Sequence, residues 1–125
     1  MNKGKKILIV DDDIYITYTF KTGLESYGFE VDTYNNPLLA LSKFRRNFYD
    51  LLLVDIRMPD MSGFELSQKI RKKDRTIKIC FITAFEVYYQ ALLEVYRNLD
   101  FKCFIKKPIT IQQLAERIEM ELAIN

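Results

Sequence analysis

Histidine is absent from the 125-residue chain. Its absence excludes Ser–His and Cys–His catalysis, histidine-ligated metals and a phosphohistidine carried by the chain itself. Cysteine is scarce. Cys80 and Cys103 are too few, and too far apart in sequence, for a disulfide framework or a zinc site. Both fall in apolar, strand-like runs, so buried free thiols are expected. Long hydrophobic runs are missing as well. The first apolar stretch, Ile7–Val10, meets acids after four residues, too short for a signal peptide or a membrane span. A cytoplasmic location is expected. Nor is one sign of charge in excess: 19 Lys and Arg oppose 17 Asp and Glu, a net +2. No strong field for nucleic acid or a membrane surface follows. The short basic clusters (Lys3, Lys5 and Lys6; Arg45 and Arg46; Arg71, Lys72, Lys73 and Arg75) are scattered, lack interleaved aromatics and read as solvated faces. There is no internal repeat, low-complexity tract or linker. Whatever chemistry the chain performs rests on carboxylates, a lysine and a hydroxyl.

What is present is a regular alternation. The length suits one domain, residues 1–125, and 49% hydrophobic content supplies a sizeable core. Lys5–Val10 reads as a strand. Ile14–Tyr27 reads as a helix with Ile14, Tyr18 and Leu24 on one face, ended at Gly28. Phe29–Tyr34 alternates apolar and polar residues, as a half-exposed strand near a sheet edge does. Asn36-Pro37 opens a second helix, with proline in its first turn, running to about Asn47. Asp50–Asp55 reads as a fully buried central strand, Gly63–Lys73 as a helix and Ile77–Thr83 as a strand. A fourth helix is expected at Glu86–Asn98, a fifth strand at Phe101–Ile105, and a last helix at Thr110–Ala123 with Ile111, Leu114, Ile118 and Leu122 on its core stripe. Strict βα alternation with short connections predicts an α/β fold, a parallel five-stranded sheet with five helices covering both faces.

In a parallel sheet all strand C-termini lie on one rim, where open α/β folds bind ligands. Asp55 closes the apolar run Leu51-Leu52-Leu53-Val54. Asp11-Asp12-Asp13 closes Ile7-Leu8-Ile9-Val10. Thr83-Ala84 closes the fourth strand, and Lys106-Lys107-Pro108 follows the fifth. Aspartates also end strands and cap the helices that follow, and Asp13 fits that role better than a metal ligand. Two strand ends delivering acids to one rim, however, suit a hard divalent cation and a phosphoryl group. Two unit charges about 4 Å apart repel by roughly 4 kcal/mol at an effective dielectric of 20. Crowded carboxylates without a cation would therefore take up protons.

The stretches Ile7-Leu8-Ile9-Val10-Asp11-Asp12, Leu53-Val54-Asp55-Ile56-Arg57-Met58-Pro59 with Gly63, Thr83-Ala84 and Lys107-Pro108, in that order, resemble the receiver domain of two-component response regulators, the CheY-like domains. The likeness covers essentially the whole chain. It implies a flavodoxin-like, doubly wound sheet of order 2-1-3-4-5. It also implies Asp55 as the acceptor of a phosphoryl group from a phosphohistidine on a partner sensor kinase or phosphotransfer protein, with self-catalysed phosphorylation and dephosphorylation. By the same likeness Mg²⁺, or Mn²⁺ in its place, would be held by Asp11, Asp12, Asp55 and the backbone carbonyl of Arg57. Lys107 would pair with carboxylate and phosphoryl oxygens across a cis Lys107-Pro108 bond. Thr83 would donate its hydroxyl to the phosphoryl group, assisted by the Ala84 amide, and Phe104 matches the aromatic switch position. Output would run through a face made by the fourth helix, fifth strand and last helix, where Tyr88, Tyr89 and Tyr96 add aromatic bulk, toward a downstream protein or a second copy. No direct nucleic-acid or membrane binding is implied.

The sequence departs from the family pattern in a slightly longer segment between Thr83 and Lys107, without the usual Ala-Gly-rich turn, and in a charged Arg57. Two other readings stand beside this one. A pseudo-receiver would bind partners without phosphorylation, but such proteins usually lose an acid, the threonine or the lysine. A phosphohydrolase of the haloacid-dehalogenase type needs a second acid two positions after its nucleophile, where this chain has Arg57. No output module follows the last helix before Asn125, so a stand-alone receiver and a domain of a larger regulator are both expected possibilities.

Overall fold

The structure, a computed structural model, describes residues 3–84 and 103–124. Its strands are β1 (Lys6–Val10), β2 (Glu30–Tyr34), β3 (Leu51–Asp55), β4 (Lys78–Thr83) and β5 (Cys103–Lys106). The described helices are α1 (Ile14–Ser26), α2 (Pro37–Lys43), α3 (Gly63–Lys73) and α4 (Ile111–Ala123). The helix expected at 86–98, with its three tyrosines, lies outside the described residues. All strand pairs are parallel, in the order β2-β1-β3-β4-β5. This is the doubly wound, flavodoxin-like order that the family resemblance implies.

Strand periodicity divides the core in two. Ile7, Ile9, Leu51, Leu53, Ile82 and Ile105 face α1 and α4, where Phe20, Leu24, Leu114 and Ile118 close on them. Leu8, Val10, Leu52, Val54, Ile79 and Phe81 face α2 and α3, where Ala40, Phe64, Leu66 and Ile70 do the same. β3 is central and buried at every residue. Its three leucines have no exposed surface, and burying each is worth about 1.5–3 kcal/mol. β1 and β3 therefore anchor the rim from which Asp11 and Asp55 project.

Helix ends follow local chemistry. Asp13 caps α1, its carboxylate accepting the amides of Tyr15 at 2.9 Å and Ile16 at 3.4 Å. At the other end Gly28 adopts φ +96°, a left-handed value that glycine reaches without a Cβ penalty, and its amide returns to the Glu25 carbonyl. Asn36 caps α2 ahead of Pro37. Thr110 and Gln113 form a reciprocal capping box at the start of α4.

Three expectations are corrected. The buried face of α1 carries Thr17, Phe20 and Leu24, whereas Ile14 and Tyr18 are 63% and 71% exposed. At 100° per residue those two lie well round the helix from Leu24, so apolar character alone chose the wrong stripe. α2 stops at Lys43, not near Asn47. Phe44 turns out of the helix, and Phe44 and Phe48 both pack on the Tyr49 ring, with centroids 5.9 and 4.9 Å away. Finally, Cys80 and Cys103 are not free thiols; they form a disulfide. Their separation in sequence misled, because register sets Cys80 directly beside Cys103 on adjacent strands, with Cα atoms 4.6 Å apart. Among the described residues no helix is long and apolar enough to cross a membrane.

Candidate functional site

Parallel strands bring the predicted residues to one rim. Asp11 follows β1 and is 1% exposed; Asp55 ends β3 at 8%, and Thr83 ends β4 at 8%. Asp12 is exposed. Carboxylate oxygens of Asp11, Asp12 and Asp55 all lie within 4.8 Å of one another. Lys107 reaches in after β5, its Nζ 2.9 Å from Asp11 Oδ2 and 3.7 Å from Asp55 Oδ1. Lys106 is exposed. The Lys107 amide donates to the Thr83 carbonyl at 2.9 Å, fastening this loop to the end of β4, and the Lys107-Pro108 peptide is cis. Ala84 and Arg57 are exposed at the same rim.

Backbone contacts fix the acids. Asp11 Oδ1 accepts the Asp13 amide at 2.9 Å, leaving Oδ2 for Lys107. The Ile56 amide bonds the Ile82 carbonyl at 3.2 Å, and the Gly63 amide bonds the Ile56 carbonyl at 2.8 Å. This second bond draws the start of α3 so close to β3 that a Cβ on Gly63 would run into the Asp55 carbonyl oxygen. Only glycine fits there. Phe104 projects to the α3 side of the sheet and stacks in a row, with ring centroids 5.3 Å from Phe81 and 6.4 Å from Phe64.

The electrostatics are unbalanced. Burial and the neighbouring Asp11 charge raise the Asp55 carboxyl to about 6, Lys107 only partly opposing them. For Lys107, burial works toward the neutral amine. The hydrogen bond to Asp11 and the charges of Asp55, Asp11 and Asp13 outweigh it and hold the ammonium above its ordinary value. Three acids facing one lysine leave an excess of negative charge that a divalent cation would neutralise. With one acid exposed and the others at the rim, a partly hydrated hard cation fits.

Asn35 was not anticipated. Its side-chain amide donates to the Asp11 carbonyl at 2.8 Å and to the Thr17 hydroxyl at 2.9 Å, joining the end of β2 and the inner face of α1 to the back of the site. The signal was available: Asn35 follows the last residue of β2, the same strand-end position that singled out Asp11 and Asp55.

A family model described as the response regulator receiver domain matches residues 7–119. The chain belongs to the response regulator receiver domain family. The receiver is 37% identical over 114 residues to a Haemophilus influenzae protein named transcriptional regulatory protein CpxR homolog, covering 91% of this chain and 48% of that one. It is 33% identical over 117 residues to the nisin biosynthesis regulatory protein NisR of Lactococcus lactis, covering 94% and 50%. It thus spans about half the length of these relatives. Among solved structures, a CheY-like receiver domain from Methanospirillum hungatei superposes with a TM-score of 0.80 at 32% identity, covering 94% of this chain and 93% of that one. The Thermotoga maritima response regulator TrrA, solved in complex with Mg²⁺ and BeF, gives 0.77 at 33% identity, covering 94% and 98%. The receiver is accordingly a signalling domain of the two-component type.

Proposed function

We propose that the receiver accepts a phosphoryl group on Asp55 from the phosphohistidine of a sensor kinase or phosphotransfer protein, in a Mg²⁺-dependent reaction, and that the acyl phosphate switches a protein-binding face. The observation that carries this reading is the convergence of three carboxylates within 4.8 Å on a lysine lying 3.7 Å from Asp55. The superposable Thermotoga regulator bound to Mg²⁺ and BeF adds support.

An Asp55 carboxylate oxygen attacks phosphorus as the N–P bond of phosphohistidine breaks, and the imidazole nitrogen keeps the departing electron pair. Such transfers need alignment and charge neutralisation more than covalent assistance. Asp11, Asp12, Asp55 and the Arg57 carbonyl would hold Mg²⁺, which when bound neutralises charge on the carboxylates and the phosphoryl oxygens. Mn²⁺ has the same oxygen-ligand chemistry. Lys107 supplies a fixed positive charge beside both buried acids and can follow the phosphoryl oxygens as they arrive. Thr83 presents a hydroxyl from the neighbouring strand end, with the Ala84 amide next to it. Loss of the phosphoryl group reverses the charge change, with water as nucleophile at the same centre.

Movement of Thr83 toward Asp55 would open space beside Phe104, which the ring, already stacked on Phe81, would fill. That repacking is the route to the surface of β5, α4 and the segment at 86–98, where a downstream protein or a second copy would dock. Two packings biased by one local charge are sufficient for a switch. A cytoplasmic location, no membrane contact and no direct nucleic-acid binding by this domain complete the reading.

Acetyl phosphate with Mg²⁺ should add one phosphoryl group to the wild-type mass and none to Asp55→Asn. Equal labelling of both, or labelling independent of Mg²⁺, would overturn the assignment.

A further inference from the structure

The geometry points to a second site, unrelated in chemistry to the first: a reversible thiol–disulfide pair, Cys80–Cys103, that pins β5 to β4. The two cysteines sit side by side in register, both with side chains on the α4 face and at most 1% exposed. Glu121 of α4 brings a carboxylate oxygen within 4.8 Å of both sulfurs, and Arg117 steadies that carboxylate at 3.4 Å. Two buried cysteines paired in register across adjacent strands are the observation that singles out this site. Access comes through β5. It is an edge strand of the sheet, and its described residues are Cys103–Lys106. Edge segments open locally at lower cost than the whole domain.

The chemistry is thiol–disulfide exchange with a low-molecular-weight disulfide. The Cys103 thiol loses its proton to solvent as β5 opens, and the thiolate attacks one sulfur of the reagent, breaking its S–S bond and expelling one thiolate, which takes up a proton. The Cys80 thiol then loses its proton in the same way and its thiolate attacks Cys103 Sγ, expelling the second thiolate, which is protonated in turn. Two protein thiols become a disulfide, and the reagent is reduced to two thiols. In reducing compartments such bonds are typically transient and redox-sensing.

The position gives the bond a consequence, which rests on the phosphoacceptor reading above. Thr83 is three residues beyond Cys80 on β4, about 10 Å at strand rise, and Phe104 directly follows Cys103. Cross-linking holds together the two strands whose ends must shift, so the oxidised receiver should resist the switch.

The test is a thiol count on the wild-type chain equilibrated across a series of glutathione to glutathione-disulfide ratios, then alkylated unfolded and weighed. Interconversion of a two-label and a no-label monomer is expected. The oxidised wild type should melt about 5 °C or more above the reduced form. Two labels at every ratio, glutathione adducts without the internal bond, or a reduced protein that retains one zinc ion and is thereby protected from oxidation would each overturn the proposal. This count needs no phosphorylation. Phosphorylated samples in both redox states report the consequence separately: smaller amide shifts from Thr83 to Lys107 in the oxidised form are expected, and equal shifts would overturn the restraint on the switch. Absence of any adduct in either state would instead defeat the phosphoacceptor reading.

Discussion

Asp55 is held in an environment that disfavours its charge, and that has a measurable sign. Its folded value near 6 lies above the ordinary 3.8. Between those values the folded state binds more protons than the unfolded one, so this group lowers stability as pH rises through the window. The penalty is complete above about pH 6 and absent below about pH 4. In metal-free buffer, Asp55→Asn should therefore stabilise the receiver by about 1–3 kcal/mol at pH 7–8. The gain should vanish near pH 4, as urea unfolding at both pH values would reveal. Lys107 acts oppositely. Its removal leaves Asp11, 1% exposed, without its cation, so Lys107→Ala should cost about 3 kcal/mol, and Lys106→Ala, at an exposed position, should cost less. Equal losses in the two variants would contradict the pairing. At this scale the acids were legible because a strand end fixes where its residue goes, whereas the choice of Lys107 over Lys106 came from the family resemblance. Asn35 was not read, although it obeys the same rule, because an amide carries no charge to draw attention to it.

Between residues and the whole lie the turns that hold elements in place. Gly63 lets α3 approach the Asp55 carbonyl, which is backbone and cannot move aside as a flexible side chain could. Gly63→Ala should destabilise by about 1–3 kcal/mol and weaken Mg²⁺ binding, because the strand end itself must shift; unchanged affinity measured calorimetrically would contradict that account. At the opposite rim Asp74, 3% exposed, accepts the amides of Asn47, Thr76 and Ile77 and the Thr76 hydroxyl. Burial opposes its ionisation, but these bonds together hold its carboxyl below the ordinary value. This stabilisation is present at neutral pH and is lost as pH falls from the unfolded value through the lower folded one. Asp74→Asn should accordingly narrow its stability deficit in acid. Element existence was readable from period and caps. The face of α1 and the end of α2 were not, since both are settled by tertiary contacts: Phe20 under the sheet, and Phe44 against Tyr49.

For the molecule as a whole, a parallel sheet with β2 near an edge was visible in the pattern of apolar residues, while the order of the strands came from the family resemblance. Register was not visible. Cys80 and Cys103 meet because β4 and β5 align at those positions, and sequence spacing carries no information about that alignment. The site, by contrast, depends on rim rather than register, which is why it could be read from residues spread from Asp11 to Lys107. Mg²⁺ binding only to the folded receiver should stabilise the whole domain by about 2.7 kcal/mol at one hundred times its dissociation constant. The gain should be largely lost in Asp12→Asn. The central claim is that Asp55, among the three clustered acids, carries the phosphoryl group. Borohydride reduction of an acyl phosphate converts that aspartate to homoserine and releases phosphate, leaving a permanent mark at the modified position. After treatment with acetyl phosphate and Mg²⁺, peptide mass spectrometry should find homoserine at position 55 and none when Mg²⁺ is chelated. Homoserine at position 11 or 12, or none anywhere despite a phosphoryl adduct on the intact chain, would contradict the account.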